Sequence, residues 1–317
     1  MRRTYILILF LFVLSNIATG QRLKERRVYY VDCSYSMKQN GIWNLVRENL
    51  KEAIDDVEDE TSELLICPYA HDKASSVKTY KEFATESGKK KLKSIVDNLP
   101  MTNSTKTYHE MPLRDFYNSK VDPRLVTYMF FMTDGISDHI VEDKNHDPFP
   151  QELKSWHTKY GDKYVYGFYV MLHDSAAEYK GAMDVIGSSD NQRKNHLWAI
   201  KSANVNINLI RLNQKAVFNA RTEKYFDIPI YGKLEGKKFD AKFPPNSDFV
   251  VEKAKIINGK LRVYVKDIKN VYALPATQKI PLELKMSGGD AFDFLINERI
   301  VVECLSKPEK TLKISVR

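Results

Sequence analysis

The sequence over residues 28–37 is VYYVDCSYSM, and this stretch decides the fold of the chain. Its first four residues are β-branched or aromatic, which is typical of a buried strand. The strand ends in a carboxylate at Asp32, and hydroxyl groups follow at Ser34 and Ser36. Three oxygen-bearing side chains that follow an apolar strand indicate a site that binds a cation. The stretch therefore predicts a hard-metal site at one edge of a sheet.

A second strand end repeats this pattern. Residues 129–135 are MFFMTDG, an apolar run that ends beside Asp134. Ligands of doubly wound sheets gather at the carboxyl ends of the parallel strands, so we expect Asp32 and Asp134 at the same edge. Aspartate and hydroxyl oxygens suit Mg²⁺, Mn²⁺ or Ca²⁺ better than zinc. The cysteines and histidines show no zinc-type spacing.

Strands and helices alternate from about residue 24 to residue 213. Apolar strands between amphipathic helices predict an α/β fold, a doubly wound and mostly parallel Rossmann-like sheet with helices on both faces. The predicted strands are 28–31, 63–67, 75–79, 125–132, 163–172 and 205–212. The predicted helices are 42–57, 80–99, 108–117, 150–160 and 175–186.

After about residue 215 the pattern changes to strand-like segments without a helical stripe. The predicted strands are 225–231, 249–257, 260–266, 280–285, 292–302 and 311–316. Asn258 and Gly259 separate two of them and predict a tight hairpin. We therefore expect a domain over 21–213 and a smaller all-β domain over 214–317, an antiparallel sandwich of the immunoglobulin-like kind without a catalytic constellation.

The first twenty residues have the three-part pattern of a secretory signal. Arg2 and Arg3 precede an apolar run over residues 5–14, and small residues follow at 18–20, so we expect cleavage before Gln21. A membrane anchor is the alternative, but the apolar run is shorter than the ~20 residues of a spanning helix. No later segment is long and apolar enough to span a bilayer. The chain is expected in the periplasm, on the cell surface or in the medium.

The charge balance is mildly basic. The chain has 49 basic and 41 acidic residues, and removing residues 1–20 removes two arginines, which leaves 47 against 41, or +6. The short lysine clusters at 89–91 and 237–238 are typical of solvated faces, so we do not expect nucleic-acid binding.

Three cysteines occur, at Cys33, Cys67 and Cys304. An exported protein can oxidise its cysteines, and a bridge between Cys33 and Cys67 is geometrically possible. We interpret all three as small buried hydrophobic residues.

Together, these motifs resemble those of the von Willebrand factor type A family. The run DCSYS over residues 32–36 resembles the family's Asp-x-Ser-x-Ser motif, which forms a metal-ion-dependent adhesion site, and residues 131–135 resemble its Thr-Asp-Gly signature. The resemblance covers about residues 25–213. It implies a magnesium, manganese or calcium site with hydroxyl ligands from Ser34, Ser36 and a threonine. Asp32 and Asp134 would bind directly or through water, and a carboxylate of the partner would complete the shell.

The family places its threonine on the loop before the helix that precedes the second motif. Aligning Leu113 with the usual leucine of that helix makes Thr107 the counterpart, and Thr105 is the alternative. Lys106 stands where the family often has glycine. Its charge would either repel the cation or help to hold an acidic ligand.

Three functions are compatible with these residues. The favoured function is a secreted, non-enzymatic binding or adhesion protein that engages a protein or other acidic ligand through the cation. The first alternative is a Mg²⁺-dependent phosphoryl-transfer hydrolase with Asp32 as nucleophile. Such enzymes have a second carboxylate two residues on, where this chain has Ser34, which does no acid–base work near neutral pH. The second alternative is a scaffold with an inactive metal site. His109 and His139 are expected on exposed loops near the site, and not as ligands.

Overall fold

A computed structural model of the 317-residue chain describes residues 24–39, 41–70, 78–101, 107–123, 125–134, 151–161, 164–172, 183–201, 207–213, 215–268, 274–289, 293–296 and 299–306. The predicted signal over 1–20 and the predicted strand over 311–316 lie outside the described residues. Two compact units are present, one over Arg22–Asn206 and one over Ile207–Arg317. Within the described ranges, no helix combines the length and the apolar character that a membrane span requires.

The first unit is built on a six-stranded sheet. Its strands are β1 (Glu25–Asp32), β2 (Glu63–Tyr69), β3 (Tyr80–Phe83), β4 (Val126–Thr133), β5 (Val165–Met171) and β6 (Leu197–Lys201). The spatial order is β3-β2-β1-β4-β5-β6. All neighbours run parallel except β2 and β3, which are antiparallel. Every residue of β4 and β5 is buried, so both faces of the sheet are covered there.

The strand order reverses between β1 and β4. The chain winds outward from β1 to β3 on one side and from β4 to β6 on the other, which is the doubly wound order. The predicted α/β class is therefore confirmed for this unit. In the register, Val31 of β1 lies opposite Met132 of β4. Both strands thus end at the same edge, at the point where doubly wound sheets bind their ligands.

Seven helices accompany this sheet in the described part of the unit, besides a helical turn over residues 183–186. They are α1 (Tyr35–Gln39), α2 (Trp43–Asp55), α3 (Glu86–Asp97), α4 (Glu110–Asn118), α5 (Gln151–Lys154), α6 (Trp156–Tyr160) and α7 (Ser189–Asn195). The longer ones bury an apolar stripe at helical spacing, as Val46, Leu50 and Ile54 do in α2. The N-cap of α3 is Thr85, whose hydroxyl oxygen accepts a hydrogen bond from the backbone N–H of Gly88.

Several observed elements of the first unit differ from the sequence prediction. Residues 80–83, predicted as the start of a helix, form β3, because pairing with β2 outweighs the local pattern. Residues 150–160, predicted as one helix, contain the two short helices α5 and α6. Neither α7 nor β6 was predicted, since elements of five to seven residues carry too few positions for periodicity to identify them.

The second unit contains two sheets. Its strands are β7 (Asn208–Leu212), β8 (Lys215–Asn219), β9 (Tyr225–Tyr231), β10 (Lys238–Lys242), β11 (Phe249–Ile257), β12 (Lys260–Ile268), β13 (Thr277–Ser287), β14 (Asp293–Ile296) and β15 (Arg299–Leu305). The sheet orders are β10-β13-β15-β8 and β11-β12-β9-β7-β14. Buried residues from both sheets form one core cluster, among them Phe218, Ile228, Leu261 and Leu284. The described part of this unit has strands and turns but no helix.

The division between the units lies before β7. The sequence pattern placed residues 205–212 as the last strand of the α/β sheet, with the boundary after residue 213. In the structure, β7 pairs antiparallel with β9 and parallel with β14, so it belongs to the second unit. A short apolar strand does not show in its own sequence which sheet it joins. β15 and β8 are also parallel. The prediction of a purely antiparallel second unit is therefore wrong.

The predicted hairpin between β11 and β12 is confirmed. Asn258 and Gly259 have φ values of 50° and 70°, and the register pairs Ile257 with Lys260 around them. Two successive left-handed residues are what the favoured two-residue hairpin turn requires. The expectation for the cysteines is also met, because all three are free and buried.

Candidate metal-binding site

Asp32 lies completely buried at the end of β1. Its Oδ1 accepts a hydrogen bond of 2.8 Å from the backbone N–H of Ser34, and its Oδ2 accepts one of 3.1 Å from the Thr133 hydroxyl. The first bond forms an Asx turn, which redirects the chain from β1 into α1. A carboxylate that is removed from water needs hydrogen-bond donors, and Ser34 and Thr133 supply them here.

Ser36, at the start of α1, connects Ser34 with Asp134. The Ser36 hydroxyl donates a hydrogen bond of 3.1 Å to Oδ1 of Asp134. The hydroxyl oxygens of Ser34 and Ser36 lie 2.8 Å apart, and either hydroxyl can donate this hydrogen bond. The structure therefore joins Asp32, Ser34, Ser36 and Asp134 in one cluster at the switch point of the sheet.

The two carboxylates of this cluster oppose each other electrostatically. Burial and, to a smaller extent, the negative charge of Asp134 raise the pKa of Asp32 to about 7, against the hydrogen bonds from Ser34 and Thr133. Like charges in a buried site disfavour ionisation of both groups. A cation in the cluster would remove this penalty, since it pairs with both carboxylates at once.

Thr107 is buried in the segment that leads into α4. It lies two residues before His109, which is hydrogen-bonded to Thr133 beside the cluster. Its loop therefore enters the same region as the four clustered residues. Thr105 and Lys106 lie outside the described residues, so the choice of Thr107 over Thr105 stays a prediction.

His109 is buried, which corrects the expectation of an exposed loop histidine. Its Nε2 lies 3.1 Å from Thr133 Oγ1, and its Nδ1 lies 3.3 Å from the Tyr169 hydroxyl. The rings of Tyr69 and Phe131 contact it edge-on. Burial lowers the pKa of His109 to about 4, against a smaller opposing effect of the adjacent Glu110. The imidazole is therefore neutral at neutral pH. His139 lies outside the described residues.

Sequence reasoning missed two residues of this region, Thr133 and Tyr169. Thr133 ends β4 and directly precedes Asp134, and the available signal was a lone hydroxyl at the last position of an apolar strand. Tyr169 lies opposite Phe131 in the register of β4 and β5. A tyrosine within an apolar strand is typical of core packing, and nothing in its local sequence indicates a polar role.

The donor set of the cluster fits a hard divalent cation. Asp32 and Asp134 offer carboxylate oxygens, and Ser34 and Ser36 offer hydroxyl oxygens, which are the donors that Mg²⁺ and Ca²⁺ prefer. Among the described residues, no three His, Cys, Asp or Glu side chains cluster as a metal site. A site at this position therefore depends on hydroxyl oxygens as much as on carboxylates.

No protein-family model matches the chain, and no curated protein matches it significantly. Several solved structures match the chain at low identity and low TM-score. Proximal thread matrix protein 1 from the mussel byssus is 16% identical with a TM-score of 0.40, over 57% of this chain and 44% of that one. Another structure of that protein has a zinc-occupied MIDAS motif, with 15% identity and a TM-score of 0.39.

A von Willebrand factor type A protein from Catenulispora acidiphila is 11% identical with a TM-score of 0.41, over 88% of this chain and 67% of that one. The pilus adhesin SpaC from Lactobacillus rhamnosus GG is 12% identical with a TM-score of 0.43, over 90% of this chain and 44% of that one. This chain thus spans less than half the length of the byssus protein and of the adhesin. At such identities and TM-scores, these similarities do not establish the family, and the fold is assigned from the strand order above.

Proposed function

We propose that this chain is an exported, non-enzymatic binding protein that engages an acidic group of its partner through a divalent cation. The cation is Mg²⁺, or else Mn²⁺ or Ca²⁺, and its ligands are Asp32, Ser34, Ser36, Thr107 and Asp134. The observation that carries this proposal is the hydrogen-bonded chain from Ser34 through Ser36 to Asp134, next to the buried Asp32.

The ligand preference of the cation supports binding of an acidic group. Two carboxylates balance the double charge of the cation, and the remaining protein ligands are neutral hydroxyls. Hard divalent cations take six or more oxygen ligands, so the cation keeps an affinity for further oxygen donors. A carboxylate from the partner is an oxygen donor of the kind that such cations prefer.

The motifs that resemble those of the von Willebrand factor type A family support the same function. We assign the second unit as a β-sandwich that serves as a spacer or as a further interaction module. Export is proposed from the signal pattern of residues 1–20.

Isothermal titration of residues 21–317 with Mg²⁺, Mn²⁺ and Ca²⁺ tests the cation site. We expect the wild type to bind, and Asp134→Asn to bind at least about 10-fold more weakly, because one charged ligand is lost. Asp240→Asn is the matched control, since Asp240 is an exposed aspartate of β10 in the second unit. If the wild type takes up none of the three metals at millimolar concentration, the proposal fails and the scaffold alternative stands.

Capture of a partner tests the second half of the proposal. Wild type and Asp32→Ala are used as bait on membrane and extracellular fractions, with Mg²⁺ or with a chelator. We expect a partner that is retained only by the wild type and only with the metal. Retention in the chelator contradicts metal-dependent binding.

A phosphatase assay separates this function from the hydrolase alternative. Ser34 stands where such an enzyme has its general acid, and its hydroxyl is hydrogen-bonded to Ser36. We expect no metal-dependent turnover. Turnover that disappears in Asp32→Asn would replace binding by phosphoryl transfer as the function.

A further inference from the structure

We infer that His109 is a positioning residue for Asp32, and that it acts through the hydroxyl of Thr133. The inference rests on the proposed cation site, because it concerns how one ligand of that site is held. His109 itself does not contact the cation in this assignment.

A buried chain of hydrogen bonds connects β5 with Asp32. The Tyr169 hydroxyl lies 3.3 Å from Nδ1 of His109, and Nε2 of His109 lies 3.1 Å from Oγ1 of Thr133. The Thr133 hydroxyl then donates to Oδ2 of Asp32 at 3.1 Å. All four residues are at most 3% exposed, so water does not compete for these bonds.

The chemistry of the groups determines the direction of each bond. With a cation bound, or at a pH above the pKa of Asp32, the carboxylate is ionised and only accepts, so the single hydroxyl proton of Thr133 goes to Asp32. Thr133 must then accept from His109, which places the imidazole proton on Nε2. A neutral imidazole has one N–H, so Nδ1 accepts the proton of the Tyr169 hydroxyl.

The hydroxyl of the neighbouring Tyr69 is a weaker acceptor for the Thr133 proton than the Asp32 carboxylate. Its hydroxyl approaches Thr133, but it donates to the backbone carbonyl of Met132 at 3.1 Å. The carboxylate of Asp32 is the stronger acceptor for the Thr133 proton, since charged acceptors form the stronger hydrogen bonds. His109 therefore stabilises the rotamer in which Thr133 points at Asp32.

This arrangement holds the Asp32 carboxylate at both oxygens. Oδ1 is held by the backbone N–H of Ser34, and Oδ2 is held by Thr133. Without the N–H of His109, the Thr133 hydroxyl loses one of the groups that fix its rotamer, and the constraint on Oδ2 of Asp32 is weakened. Groups that orient metal ligands in this way typically change metal affinity by about 10- to 100-fold when they are removed.

Two substitutions at His109 separate positioning from simple core packing. His109→Phe keeps a ring between Tyr69 and Phe131 but has no N–H, whereas His109→Gln keeps an N–H donor near the position of Nε2. By titration with Mg²⁺, we expect affinity to fall about 10- to 100-fold in His109→Phe and to stay within about 3-fold of wild type in His109→Gln. Thermal unfolding in a chelator shows whether each variant is folded.

The inference is overturned if folded His109→Phe binds Mg²⁺ as tightly as wild type, or if His109→Gln loses as much affinity as His109→Phe. Absence of Mg²⁺ binding in the wild type itself is a different result, which contradicts the proposed function.

A second measurement needs neither metal nor a substitution at His109. Nitrogen-15 NMR of the histidine rings in the metal-free chain distinguishes the two neutral tautomers, and it is recorded at a pH well above the Asp32 pKa of about 7 so that this carboxylate is ionised. We expect His109 to be protonated at Nε2 in the wild type, and Tyr169→Phe to populate the Nδ1-protonated form, because the donor to Nδ1 is gone. A wild-type His109 protonated at Nδ1 overturns the inference, even where His109→Phe fails to fold.

Discussion

The Ser36 hydroxyl donates a hydrogen bond of 3.1 Å to Oδ1 of Asp134, a residue 98 positions further along the chain. The bond joins the start of α1, just after β1, to the residue that follows β4, and β1 and β4 are parallel neighbours in the sheet. It lies where the strand order reverses, so the candidate site receives side chains from both halves of the doubly wound sheet. The two motifs depend on this topology to form one cluster.

Asp134→Asn is expected to stabilise the metal-free chain at neutral pH and to remove its thermal response to Mg²⁺. The amide oxygen can still accept from Ser36, while the charge that opposes ionisation of Asp32 is gone. We expect a gain of about 1 kcal/mol in the free energy of unfolding, comparable to a pKa change of one unit. Calorimetry in a chelator and in Mg²⁺ measures both effects. A variant that is less stable than wild type in the chelator contradicts the expected repulsion.

The titration of His109 is expected to appear as a pH-dependent stability difference between wild type and His109→Gln. Burial lowers the pKa of His109 to about 4 from 6.5, so between these values the unfolded chain holds a proton that the folded chain lacks. The contribution of His109 to the free energy of unfolding is thus fully present above pH 6.5. It is lost as the pH falls towards 4, by up to about 1.4 kcal/mol per pH unit.

Urea denaturation in a chelator at several pH values measures this difference. Asp32 has a raised pKa and contributes with the opposite sign, but it is present in both chains and cancels in the comparison. A wild-type advantage that stays constant across the window would show that His109 is not buried in its neutral form.

Glu25→Gln is expected to destabilise the first unit by roughly 3 kcal/mol, because it leaves a buried guanidinium without its counter-charge. Glu25 Oε1 lies 2.9 Å from Nη2 of Arg27, and both side chains are at most 7% exposed. The double variant Glu25→Gln with Arg27→Met is expected to recover part of the loss. Chemical denaturation of the two single variants and the double variant measures the coupling energy between the two side chains. If the stability losses of the single variants simply add in the double variant, the two side chains are not coupled and the prediction is wrong.

Gly259→Ala is expected to cost about 1 to 2 kcal/mol of stability in the second unit, because an L-residue at positive φ is strained. The φ of Gly259 is 70°, and an added Cβ would meet no atom within 4 Å, so the whole effect is conformational. Gly259→Asn should lose less, since asparagine tolerates this region better. Equal losses in the two variants, measured by thermal unfolding, would contradict this account of the turn.

Most of the first sheet was predictable because its central strands are long apolar runs. β1, β2, β4 and β5 appear where the sequence predicts them, with bounds that differ by a few residues. The hairpin at Asn258 and Gly259 was equally visible, since both residue types tolerate positive φ. In contrast, β3 was placed in a helix, because its strand conformation depends on pairing with β2.

By itself, the sequence determined which residues place oxygen atoms at the ends of strands. Asp32, Ser34, Ser36 and Asp134 stand out because local polarity changes abruptly after each apolar run. Only the tertiary structure decided that these residues meet at one switch point, and that His109 lies buried behind them. It also decided that residues 208–212 join the second unit. Each of these outcomes depends on contacts between segments far apart in the chain, and such contacts leave no periodic pattern in the local sequence.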